Sequence, residues 1–410
     1  MFSYLQANFF QKRFVSEVTN SNQLYDKLQM LNSNKIDKNY ISKSQKEFQS
    51  QLVNILEQSI ENNQYSVVND LLLNTSKNIA EVFKINNIRM NFEKKKDCSK
   101  EANLLFELLK HRVNVLSDSF DYNELKSGYN LIYNEFLLKL DYEEFSIITR
   151  VLNPSTVHLI INDFFKYFMA FETLSNDFEE DKSLLNEHIE SVFLEVLTRL
   201  NCKEISTEED QGVIELSNFK DLVYLNLVMM AIKVNLCMET EINDDIKKRF
   251  NTILQSKEFI KSIHPFVYFE ICLLDLILQL NNSESNIMNI LNLKEMINLH
   301  KELKLYLSFS NCNYEKSMIE EYFQKTIANL ILLRVFIEQG NLEEENIQLL
   351  MKTLEINPDK FKLNEKVVSS MLNLPYVSSL STKFNKKMLN KIKLLKPALN
   401  NKAFDIKCLN

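Results

Sequence analysis

The chain has 410 residues, a formal net charge of −7 and 45% hydrophobic side chains, yet only 3 Gly and 5 Pro. Average usage is about 7% Gly and 5% Pro, so architectures that depend on clustered glycine are excluded. Hairpin-rich sheets, phosphate-cradling loops and dinucleotide folds all need such clusters, whereas Gly128, Gly212 and Gly340 stand alone.

In chain order, residues 1–14 (MFSYLQANFFQKRF) come first, with Lys12 and Arg13 and no acid. Phe2, Leu5, Phe9 and Phe10 lie near one face at helical spacing. A basic, amphipathic, acid-free start is the composition of a mitochondrial transit peptide. Processing after Phe14 would leave Arg13 two residues before the cut. The alternative is an ordinary first helix in a Lys-rich protein.

Beyond it, a period of 3.6 recurs and predicts an all-α chain. Helices are expected near 47–60, 65–90, 101–116, 124–140, 143–152, 157–172, 184–200 and 219–238. Further ones are expected near 244–255, 266–280, 287–306, 315–338, 343–355, 364–373 and 383–396. The clearest stripe is Leu184, Leu185, His188, Ile189, Val192, Phe193, Val196, Leu197 and Leu200. Breaks fall at Asn153-Pro154, His264-Pro265, Asn357-Pro358 and Leu374-Pro375, where proline blocks helix extension. The polar stretches 91–100, 175–183 and 203–213 read as loops on one array.

Three segments carry a finer pattern: NNQYSVVNDLL at 62–72, LDYEEFSIITRVLNP at 140–154 and QGNLEEENIQLLMKTLEINP at 339–358. Each resembles the turn and second helix of a tetratricopeptide-like repeat, with Gly340 at a turn and Pro358 after the helix. A generic helical hairpin is the alternative. The resemblance implies stacked antiparallel hairpins forming an irregular α-solenoid. The expected organisation is a transit peptide at 1–14, a helical-repeat domain at 15–382 and a basic C-terminal helix and tail at 383–410.

No catalytic motif emerges. The chain has no GxxxxGK[ST] or GxSxG, and no HExxH among its five histidines. Asp244-Asp245 lacks the third acid of a metal-binding DDxxD cluster. The acidic clusters at Glu179–Asp181, Glu208–Asp210 and Glu343–Glu345 read as solvated helix starts. No two cysteines lie closer than 35 residues, so neither zinc nor a disulfide framework is expected; Cys237 and Cys272 read as buried small hydrophobes. The most apolar runs, Leu222–Met238, Phe266–Leu280 and Ile327–Ile337, are interrupted by Lys233, by Glu270 and Asp275, and by Arg334. Those charges argue for core helices rather than membrane spans. The expectation is a non-enzyme without cofactor, metal or transmembrane segment.

One segment reverses the overall sign. Lys383, Lys386, Lys387, Lys391, Lys393, Lys396 and Lys402 occur without an acid, interleaved with Met388, Leu389, Ile392 and Leu395. A basic amphipathic helix can meet a phosphate backbone, anionic lipid or an acidic partner; a solvated last helix is the alternative. In type, the chain resembles the helical-repeat mitochondrial gene-expression factors of budding yeast. That likeness implies a matrix protein supporting RNA maturation, stability or translation, with mitochondrial RNA or the ribosome as partner. The other readings are a protein–protein scaffold or assembly factor, mitochondrial or cytoplasmic, and a membrane-surface protein using the tail.

Overall fold

The computed structural model describes residues 38–87, 89–90, 98–118, 120–139, 146–174, 219–282, 290–337 and 373–380, with isolated positions at 191–192, 195–196, 352, 386 and 390. All elements among the described residues are helices; none is a strand. The chain divides into two compact units. Unit 1 holds residues 1–156 and 166–174; unit 2 holds 157–165 and 175–410.

In unit 1, α1 spans Lys38–Glu61. It buries Phe48, Leu52, Val53 and Leu56, the i, i+4, i+5, i+8 stripe of an amphipathic helix. Each such side chain contributes about 1.5–3 kcal/mol on burial. A three-residue turn leads to α2, built from an α-helical segment Tyr65–Asp70, a π-helical turn Leu71–Thr75 and a second α-helical segment Ser76–Asn86. In the widened turn the Leu72 carbonyl accepts from the Ser76 hydroxyl at 2.7 Å and from Arg112 Nε at 3.1 Å, so a packed side chain completes what the shifted ladder leaves open. Helix α3 spans Lys100–Leu116 and starts on a Ser99 cap that accepts from Ala102 N–H. Helix α4 runs as Tyr122–Asn130, a π-turn Leu131–Phe136 and a 3₁₀ turn Leu137–Lys139. The short α5, Ser146–Val151, precedes α6, Pro154–Leu174, whose residues 157–165 are assigned to unit 2. Helices α1 and α2 pack on one another and on α3, which also packs on α4.

In unit 2, α7 (Phe219–Met238) is followed by α8 (Asp244–Gln255), α9 (Lys257–Ile263), α10 (Pro265–Asn282) and α11 (Leu293–Phe309). Helix α12 joins Asn313–Met318, a π-turn Ile319–Gln324 and Lys325–Ile337. Helix α13, Pro375–Leu380, packs on α12. Helix α7 is apolar on nearly every side. Its stretch Asp221–Met238 alone, among the described residues, is long and apolar enough to cross a membrane, but 94% of it is buried inside the protein. A helix that is hydrophobic all round belongs in an interior of this kind.

The expected helices from 47 to 172 and from 219 to 338 are present, most with ends shifted by a few residues. Helix α9 escaped the periodicity because it is about two turns long, and α13 was not expected either. Pro154, Pro265 and Pro375 are first residues of α6, α10 and α13, so proline marks helix starts as well as stops. Of the three repeat-like segments, 62–72 is a helix–turn–helix join, 140–154 is described only from Ser146, and 339–358 lies almost wholly outside the described residues. Within 184–200, Val192 and Val196 are helical and buried.

Glycine scarcity leaves its mark on the turns. Positive φ falls on Asn63, Asn87, Asp118 and Glu239, each at or just past the end of a helix. This is the left-handed capping position that usually takes Gly, and Asn or Asp tolerates it better than other residues. Glu239, at φ 57°, has no such dispensation. Glu239→Gly should raise stability by about 1 kcal/mol, the order of the left-handed penalty for an L-residue, read as a higher midpoint in urea denaturation. A lower midpoint would show that the Glu239 side chain does more than end a helix.

Candidate functional site

Unit 2 is built around a carboxylate. Glu270, in mid-α10, is 1% exposed. Its Oε1 accepts from Lys233 Nζ of α7 at 2.5 Å and from the Tyr376 hydroxyl of α13 at 2.9 Å. Its Oε2 lies 2.5 Å from His158 Nε2 of α6, whose Nδ1 is 2.8 Å from the Tyr314 hydroxyl of α12. Burial alone would raise the Glu270 carboxyl, but Lys233 and His158 beside it prevail and hold it well below the usual glutamate range. Burial and the neighbouring carboxylate push the Tyr376 phenol well above its ordinary value, so its proton stays in place and it donates. An ionised carboxylate only accepts, so His158 Nε2 carries a hydrogen toward it. Rings enclose the centre: Phe266 meets His158 edge-on at 4.9 Å and stacks on Phe323 at 5.7 Å, and Phe323 meets Tyr376 at 5.5 Å.

Unit 1 has a smaller counterpart. Glu124, in the first turn of α4, accepts from Arg89 at 2.6 Å, pairs with His111 Nδ1 of α3 and takes Asn114 Nδ2 at 3.3 Å. Burial raises its carboxyl, and the bonds from His111 and Arg89 overcome this and hold it at about 2. Asp121 caps α4 by accepting from Glu124 N–H at 2.9 Å and also receives Arg89 at 3.1 Å. His111 is 3% exposed, and its Nε2 stands 3.7 Å from Glu107. Asn114 treats the chain at Met90 as a strand would, accepting from its N–H at 2.9 Å and donating to its carbonyl at 3.1 Å.

His111 also borders a cleft of about 870 Å³ between α3 and α4. Lys100, Asn103, Glu107 and Lys110 line the α3 wall; Asn130, Asn134, Glu135 and Lys139 line the α4 wall. Lys110 is paired with Glu107 at 2.9 Å, and Lys139 is paired with Glu135. With Lys100 and Glu101 also in the lining, three lysines stand against three glutamates, and Leu104, Leu131 and Ile148 add an apolar part, so the cleft suits a ligand with both hydrogen-bonding and apolar groups. Behind it, Gly128 admits the Tyr167 ring: a Cβ there would lie 2.8 Å from Tyr167 Cε2 and 3.5 Å from His111 Cγ.

Of the residues singled out from sequence, Lys386 is helical and exposed. Arg13, Phe14, Lys383, Lys387, Lys391, Lys393 and Lys396 lie outside the described residues. Cys237 is buried, and burial pushes the Cys272 thiol up to about 11, which keeps it protonated and unreactive. Among the described residues, no group of three or more His, Cys, Asp or Glu is arranged to hold a metal. Sequence reasoning missed both carboxylate centres. A signal for the larger one was present, since Lys233 and Glu270 are opposite charges in two otherwise apolar runs, and they prove to be partners. His111 and Glu124 carried no comparable signal.

Among the described residues, these features define an all-helical protein of two units, each organised around a buried, multiply bonded glutamate. No protein-family model, curated protein or solved structure matches the chain.

Removing one partner of a buried pair leaves the other uncompensated, at a cost of about 3–5 kcal/mol. Glu270→Gln should therefore destabilise by that order in chemical denaturation. Adding Lys233→Met should recover part of the loss, because it removes the ammonium left unpaired, while the Gln oxygen can still accept from His158 and its NH2 can donate to the Tyr376 hydroxyl oxygen; strictly additive losses would refute the pairing as the source. The pH dependence has a definite sign. Glu124 titrates lower in the folded chain than the ordinary 4.5, so its contribution is full above about pH 4.5 and is lost as pH falls towards about 2. Glu124→Gln should flatten the stability–pH slope in that window, and an unchanged slope would mean that other carboxylates set it. Gly128→Ala should cost about 1–3 kcal/mol, the range for overpacking, with the Tyr167 ring displaced in a structure of the variant.

Proposed function

We propose that the protein is a non-enzymatic mitochondrial matrix factor that supports RNA maturation, stability or translation by holding its partner on a helical-repeat surface. The observation that carries this reading is the run of seven lysines and no acid from Lys383 to Lys402 in a chain of net charge −7. It is a local field of the sign a phosphate backbone attracts, and the exposure of Lys386 is compatible with that use. Lysine rather than arginine favours diffuse charge contact over bidentate phosphate recognition. The transit-like composition of residues 1–14 supports the compartment. Packing of successive helices on one another supports the arrangement as stacked hairpins of an irregular solenoid. The internal bonding of Glu270 and Glu124 supports a structural rather than catalytic use of the buried charges.

A second reading, a protein scaffold without RNA contact, is favoured by Leu305 and Phe309. They are four residues apart on α11 and 60% and 72% exposed.

Two measurements separate these readings. Residues 1–25 fused to a reporter should direct it to mitochondria; a diffuse cytosolic signal would remove the compartment. Ultraviolet crosslinking of the tagged chain should recover RNA, with affinity in vitro falling steeply as salt rises and falling at every salt when the six lysines Lys383, Lys386, Lys387, Lys391, Lys393 and Lys396 become Gln. Recovery of proteins alone would favour the scaffold.

A further inference from the structure

We propose that the cleft between α3 and α4 of unit 1 binds a small organic cation, an amine or amidine on an apolar body, through Glu107 and His111.

The α3 wall of the cleft is a line of hydrogen-bond acceptors. Asn103, Glu107 and His111 stand at i, i+4 and i+8 on one face of the helix, and all three line the cleft. Each has an acceptor left over. His111 is 3% exposed, and its Nδ1 is turned to Glu124, which is not part of the lining. The Glu124 carboxylate also takes Arg89 and Asn114 and only accepts, so His111 Nδ1 carries a hydrogen toward it. Its Nε2 is turned the other way, 3.7 Å from Glu107 Oε2. An Nε2–H beside a carboxylate would close to about 2.9 Å; a gap beyond hydrogen-bond distance is the spacing of two acceptors. Glu107 spends Oε2 on Lys110 at 2.9 Å and leaves Oε1 without a partner. Asn103 donates through Nδ2 to the carbonyls of Cys98 and Ser99 at 3.3 and 3.0 Å, and its Oδ1 is buried without a partner.

Such a wall calls for a ligand that donates. A nitrogen about 2.9 Å from each of His111 Nε2 and Glu107 Oε2 spans the 3.7 Å between them. The carboxylate favours a charged donor, ammonium or amidinium, over a neutral amide, because charge-assisted bonds are about twice as strong. The lysines of the lining leave that place open: Lys110 bonds Glu107 and Lys139 bonds Glu135. An anion would meet Glu101, Glu107 and acceptors with no hydrogen to give. A metal ion would want three or more ligating side chains, and among the described residues no such group of His, Cys, Asp or Glu is arranged for one. Leu104, Leu131 and Ile148 beside the acceptors instead suit the apolar body of an organic cation, and about 870 Å³ is room for a small molecule. This site stands apart from the lysine run and does not rest on the RNA reading above.

Titration of the full-length chain with benzylamine and with benzamidine, followed on the imidazole resonances of His111, tests it. Both cations should shift those resonances saturably at millimolar concentration. Benzyl alcohol and benzoate keep the ring and lose the positive charge, and should bind roughly 10-fold more weakly or not at all. Glu107→Gln keeps the shape and removes the carboxylate charge, so the affinity for both cations should fall roughly 10- to 100-fold, the worth of a hydrogen bond to a charged group. Asn134→Trp puts a bulky ring at an exposed position of the opposite wall. It should weaken binding while leaving Glu107 and His111 in place, and serves if the first variant folds poorly. No saturable shift with either cation would overturn the proposal. So would equal binding of the alcohol or the benzoate, or unchanged affinity in both variants. RNA recovery and mitochondrial import are read separately, so a failed functional reading leaves the titration result intact.

Discussion

A carboxylate removed from water must be compensated at once or it will not stay charged. In the interior the cost of ionisation is several kcal/mol, and an isolated group takes up a proton instead. Glu270 stays ionised because three donors converge on it from three other helices, Lys233 from α7, His158 from α6 and Tyr376 from α13. Hydrophobic burial is indifferent to register, so Leu225 or Ile271 could be satisfied by many neighbours. A charge with directional donors cannot. The Glu270 centre is therefore the contact in unit 2 that selects one packing of α6, α7, α10 and α13 among the many that bury similar area. The rings of Phe266, Phe323 and Tyr314 then fill the space around it, and because they exclude water they also strengthen each bond they enclose.

Unit 1 meets the same constraint at a more accessible position. Glu124 sits near a helix start, where the N-terminal dipole already favours a negative charge. It gathers Arg89 from the segment before α3 and His111 and Asn114 from α3 itself. Asparagine does much of the remaining work there. Asn114 pairs with both backbone groups of Met90, while Asn69 donates to the Val151 carbonyl and accepts from Asn153 N–H and the Thr156 hydroxyl. Together with Asn63 and Asn87 at left-handed φ, these side chains take over roles that glycine turns or strand ladders fill in other proteins. An asparagine-rich composition can arise from an AT-rich genome, yet at these positions the residue has specific structural duties.

Much of the fold was legible in the sequence because helix period is a local property. The stripe of α8, Ile246, Phe250 and Ile253, is written at i, i+4 and i+7 and needs no knowledge of what it packs against. The π-turns were not legible, since Leu71–Thr75 reads as any apolar helical run; what widens it is tied to Arg112, forty residues away. The site was less legible than the fold for the same reason. Lys233 and Glu270 were legible as charges interrupting apolar runs. Their pairing depends on how α7 meets α10, which composition does not encode. Tyr376 was invisible because an aromatic after Pro375 resembles any turn residue, and its bond to Glu270 joins residues 106 apart in the chain.

The same separation bears on how function can be read from such a chain. Catalysis needs groups converging on a point, and convergence is set by tertiary packing; the groups that do converge here, at Glu270 and Glu124, are already bonded to one another. Electrostatic attachment needs only a density of like charge within about a Debye length of a surface, roughly 8 Å at physiological salt. A segment can supply that from its own sequence, as the lysines from Lys383 onward do. Among the described residues the exposed surface is made of helix faces, a surface suited to broad contact with a macromolecule. Under the binding role proposed above, two features offer different partners a place to meet it: the run of lysines in the sequence from Lys383 onward, and the exposed apolar pair Leu305 and Phe309 on α11.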